Sequence, residues 1–107
     1  YLDGGNWKLS SVSAPTGSVA IAGSGQTLYV LAGTSVSYLD GGAWVSMGAP
    51  SNSISIAVWK GVLYALTSAG DILPYDGGWG AKLPYQSPAG STELGGGSSA
   101  LYALSYQ

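Results

Sequence analysis

The chain has 107 residues, of which 18 are glycine and only 7% are charged: three basic and five acidic side chains, a formal net charge of −2, no histidine and no cysteine. Soluble domains carry about 25% charged residues, so this composition holds no basic patch for a nucleic-acid backbone or an anionic membrane surface. It also lacks the ligands of a zinc, iron–sulfur or haem site and any disulfide framework. No cofactor, nucleic-acid partner or membrane insertion is therefore expected, and no apolar run approaches the roughly 20 residues of a membrane-spanning helix. The chain opens without Met or a charged leader and reads as a mature or excised segment.

In chain order, the first recognisable unit is Tyr1-Leu2-Asp3-Gly4-Gly5-Asn6-Trp7, two short extended stretches around a glycine pair. An alternating strand, Val19-Ala20-Ile21, follows, and then the phrase Leu28-Tyr29-Val30-Leu31. The opening unit returns as Tyr38-Leu39-Asp40-Gly41-Gly42-Ala43-Trp44, a spacing of 37 residues. Next come Ile54 to Trp59, a Lys60-Gly61 turn, Val62 to Thr67, a Ser68-Ala69-Gly70 turn, Asp71 to Tyr75, the turn Asp76-Gly77-Gly78, and Trp79 to Leu83. The strand phrase recurs as Leu63-Tyr64-Ala65-Leu66 and Leu101-Tyr102-Ala103-Leu104, at spacings of 35 and 38.

Two phrases sharing nearly one period define three tandem repeats of about 36 residues, approximately 1–37, 38–74 and 75–107, in a single segment covering residues 1–107. Within them the apolar pattern has period two and never sustains a helical period, so each unit is expected to be four short strands. Asp-Gly-Gly supplies the positive φ angles of tight hairpin turns. Pro74 demotes its strand toward an edge. The glycine run Gly95-Gly96-Gly97 is expected to be a flexible turn, since it lacks the lysine and the helix of a phosphate loop.

Four-stranded antiparallel units of this length in tandem point to an all-β protein of the β-propeller type. The order of inner strand, Leu28-Tyr29-Val30-Leu31-Ala32-Gly33, a strand ending Tyr38-Leu39-Asp40, then Trp44 and Ala49-Pro50 resembles a compressed kelch repeat. The Asp-Gly-Gly hairpins are more weakly similar to those of small fucose-binding lectin propellers, which hold sugar with an arginine and a glutamate; this chain has no arginine. The resemblance implies about three four-stranded blades per chain. Known propellers need at least four, so the ring is expected to be completed by another chain, or the segment to be cut from a larger kelch-like propeller. One blade is expected to be split, its first two strands near residue 104 and its last two near residue 1. Pairing those halves between copies gives a head-to-tail homo-oligomer, a closed two-chain ring being favoured over a filament.

No acid–base pair or activated nucleophile is legible, so no catalytic residue is assigned and no enzyme activity is expected. Asp3, Asp40 and Asp76 read as turn formers, and Trp7, Trp44 and Trp79, which recur with the repeat, read as packing between blades. Residues that break the repeat are the candidates for a ligand: Trp59, Tyr85 and Gln86, and Glu93, which aligns with Ala20 and Ser55 in the inner strand. An aromatic face beside neutral polar groups suits a neutral glycan. The leading expectation is thus a non-enzymatic structural or protein-interaction module, part of a surface or extracellular assembly. The alternative is a small lectin-like propeller.

Overall fold

The computed structural model describes residues 2–3, 6–7, 17–24, 27–84, 86–88, 90–96 and 100–105. Their regular structure is entirely antiparallel β. Strands β1 (Leu2–Asp3) and β2 (Asn6–Trp7) form a two-stranded sheet. A four-stranded meander follows, built of β3 (Ser18–Ser24), β4 (Thr27–Ala32), β5 (Ser35–Asp40) and β6 (Ala43–Gly48). The next sheet has three strands, β7 (Ser53–Trp59), β8 (Val62–Thr67) and β9 (Ile72–Tyr75), and the last has two, β10 (Ser91–Gly96) and β11 (Leu101–Ser105).

The repeat seen in the sequence is a repeat of register. Ala20 pairs with Leu31, Ser55 with Leu66 and Glu93 with Leu104, and each hairpin carries a bulge just before that pair. The turn chemistry recurs too. Leu39 pairs with Trp44 and Asp40 with Ala43, as Leu2 pairs with Trp7 and Asp3 with Asn6. Gly41 and Gly42 take φ of 60° and 89°, the left-handed pair that a two-residue hairpin turn requires.

The core is centred on β7, whose two faces are both covered. On one side Ile56, Leu63 and Ala65 bury with Leu31 and Val36, joined by Ala20, Ala22 and Tyr29. On the other, Ala57, Leu66 and Ile72 bury with Leu94, joined by Tyr64 and Leu101. Strand β7 thus loses the polar-out alternation of a half-exposed strand, because a sheet lies against each of its faces.

Two expectations are corrected. The segment Trp79 to Leu83 is not a strand: it runs beside β9 through one isolated bridge, Tyr75 with Trp79, and through Gly80 N–H to Pro74 C=O at 2.8 Å and Leu83 N–H to Ile72 C=O at 2.7 Å. Pro74 accepts on that edge but has no N–H to donate, so the ladder breaks there. Four strands are consequently found in only one described sheet. The second correction concerns Gly95 and Gly96, which belong to β10 and not to a turn; Gly97 lies outside the described residues.

Candidate functional site

The equal registers make positions in the three hairpins comparable, and burial then separates the inner unit from the outer two. Ile56 and Leu94 occupy one repeat position and are 2% and 9% exposed, whereas Ile21 at the same position of the first hairpin is 67% exposed. Leu31 and Leu66 share the position of Leu104; both are fully buried while Leu104 is 51% exposed. Tyr29 and Tyr64 pack into the two core clusters, yet their counterpart Tyr102 is 59% exposed. The pattern has a simple cause. In the first two hairpins the forward face (Leu31 or Leu66 with its tyrosine) receives the rear face (Ile56 or Leu94) of the next. At β3 the rear face, with Val19 and Ile21, is uncovered, and at β10–β11 the forward face, with Tyr102 and Leu104, is uncovered.

One polar contact also belongs to this packing. The Leu94 N–H donates to Ser55 Oγ at 3.0 Å, a buried bond between the free inner edge of β10 and the hairpin before it. Glu93 occupies the position of Ser55 and lies exposed on the uncovered forward face, paired across the strands with Leu104. The inner strands line a groove of about 290 Å³ formed by Val19, Ile21, Ser55, Ile56, Thr92 and Glu93.

The remaining ligand candidates are held apart. Trp59 ends β7; its ring is 6.4 Å from that of Tyr64 and 4.9 Å from Lys60 Nζ, and its Nε1 is buried without a hydrogen-bond partner. Gln86 sits at the opposite end of the β7–β8 hairpin. Its Nε2 donates to Asp71 Oδ1 at 2.9 Å and to Ala69 O at 3.5 Å, and Ser87 N–H donates to Gly70 O at 2.9 Å. Lys82 Nζ stands 3.8 Å from the same Asp71 oxygen. Gln86 therefore tethers the link after β9 to the Ser68–Gly70 turn, beside a shallow recess of about 330 Å³. Tyr85 lies outside the described residues.

Among the repeat residues, Trp79 packs edge-on against Tyr75 with ring centres 5.1 Å apart, and its Nε1 donates to Gly48 O at 3.2 Å in the neighbouring sheet. Trp44 is half-buried, and Asp40 and Asp76 are exposed at their turns. Among the described residues no group of three or more acidic side chains is placed to hold a metal ion. Val19, Ile21, Tyr102 and Leu104 were not singled out by sequence reasoning as functional. The repeat carries no signal for them, since it reads the same whether or not a neighbouring hairpin covers these side chains. No protein-family model matches the chain, and no curated protein is similar to it in sequence.

Proposed function

We propose that the chain is a non-enzymatic structural module of β-propeller type that assembles head to tail with copies of itself, two chains closing a ring of six blades. The observation that carries this reading is the pair of uncovered apolar faces: the rear face at Val19 and Ile21 and the forward face at Tyr102 and Leu104. Both would be covered if the packing between successive hairpins continued from one copy into the next. The two-stranded sheets point the same way. Strands β10–β11 repeat the first half of the β3–β6 meander and β1–β2 repeat its second half, so joining them across copies yields a complete four-stranded blade. Such a contact uses different surfaces on the two partners and either closes or propagates. Trp59 and Gln86 stand at opposite ends of one hairpin, which leaves the neutral-glycan reading resting on composition. The test is mass in solution by native mass spectrometry or light scattering. Twice the chain mass is expected, and a cooperatively folded species at the mass of one chain would overturn the proposal.

A further inference from the structure

Resting on that self-assembly, we infer the register of the contact: Ile21 of one copy seats on Leu104 and Tyr102 of the next, and the Glu93 carboxylate accepts the Ile21 N–H. The two junctions within the chain serve as templates. In the first, Ile56 buries with Leu31; in the second, Leu94 buries with Leu66, beside Tyr64. Ile21 is the repeat counterpart of Ile56 and Leu94, and Leu104 is the counterpart of Leu31 and Leu66, so the uncovered faces are the two halves of the same joint. A second copy of this chain carries the complementary face, since each chain bears both halves.

Glu93 follows from the same superposition. Ser55 Oγ takes the Leu94 N–H at 3.0 Å across the second junction. Glu93 replaces Ser55 and Ile21 replaces Leu94 at the junction between copies, which brings the carboxylate to the Ile21 amide. A hydrogen bond to an ionised acceptor is stronger than one to a hydroxyl. The charge also selects orientation. Two forward faces meeting each other would bring Glu93 onto its own copy amid leucine and tyrosine side chains, a like-charge contact that disfavours tail-to-tail pairing.

The test uses the full chain and separates this register from self-assembly as such. Ile21→Lys and Leu104→Asp, each verified as folded by circular dichroism, are each expected to run at the mass of one chain. Mixed in equal amounts they are expected to recover the parental mass, because one junction then pairs lysine with aspartate and the other is unaltered. Either variant alone keeping the parental mass, or a mixture that stays monomeric, overturns the register even if the parent assembles. Cross-linking guards against misfolded variants. The chain has no cysteine, so Ile21→Cys mixed with Leu104→Cys and treated with a short bis-maleimide is expected to give a covalent pair only in the mixture; no cross-link overturns the register. Glu93→Ala is expected to raise the dissociation constant about tenfold, and Glu93→Ser to restore most of the loss. An unchanged constant for Glu93→Ala removes the carboxylate from the joint.

Discussion

Gly96 shows what a single residue contributes to the packing between sheets. A methyl group built on its Cα would overlap the carbonyl oxygen of Val58 in β7, a backbone atom that cannot swing aside. Glycine there permits β10 to lie against β7. Gly96→Ala is expected to destabilise the protein by about 1–3 kcal/mol, the usual penalty for overpacking, measured as a shift of the urea midpoint; an unchanged midpoint would mean that β10 does not approach so closely. The residue was misread as part of a loop because a run of glycines carries a local turn signal, whereas the constraint is a contact with a strand far away in sequence. Trp79 was read as a packing residue because it recurs with the repeat. Its side chain links two sheets through Tyr75 and the Gly48 carbonyl. Trp79→Phe keeps a ring against Tyr75 and loses the hydrogen bond, so a loss of about 1 kcal/mol is expected. Trp79→Ala, which loses both, should cost clearly more in the same urea titration. Equal losses for the two variants would show that the ring contributes nothing.

At the scale of elements, the strands of the β3–β6 meander were legible because period-two alternation, paired phrases and Asp-Gly-Gly turns all agreed. Val62 to Thr67 was read with the bounds it has in the structure. The failure at Trp79 to Leu83 came from weighing alternation above the missing N–H of Pro74. In an antiparallel strand the N–H and C=O of one residue point to the same neighbour. The Pro74 carbonyl accepts from Gly80 N–H at 2.8 Å, so an amide at position 74 would face Gly80 as well. Pro74→Val is therefore expected to complete a doubly bonded pair with Gly80 and extend the isolated bridge toward a true fourth strand. Amide exchange is the readout: the position-74 amide should be strongly protected. Global stability should change by less than about 1 kcal/mol, because the added hydrogen bond is offset by the freedom that the unfolded chain regains without proline. A rapidly exchanging amide at that position would show that the segment does not lie in strand register.

For the whole molecule, the all-β class was readable from the repeat, and the described residues hold one hairpin register three times, but which side chains lie bare was not readable, since burial depends on neighbours and the repeat is the same with or without them. Val19 and Ile21 alternate with Ala20 and Ala22 so that the larger apolar groups face outward, the reverse of the usual half-buried strand. Covering them by a second copy, as proposed, links dissociation to the unfolding of the assembled protein, and that has a thermal signature. When two chains unfold together the midpoint rises with concentration by mass action. Two chains of 107 residues at about 0.7 kcal/mol per residue have an unfolding enthalpy near ~150 kcal/mol around 60 °C. The corresponding rise is roughly 3 °C for each tenfold increase in concentration. In the proposed joint, built chiefly from Ile21, Tyr102 and Leu104, raising the salt should leave the assembled mass unchanged, as screening acts on exposed charges and not on apolar contact. Scanning calorimetry across two decades of concentration checks the first expectation. A midpoint independent of concentration would show that each chain folds alone and that its two apolar faces remain bare.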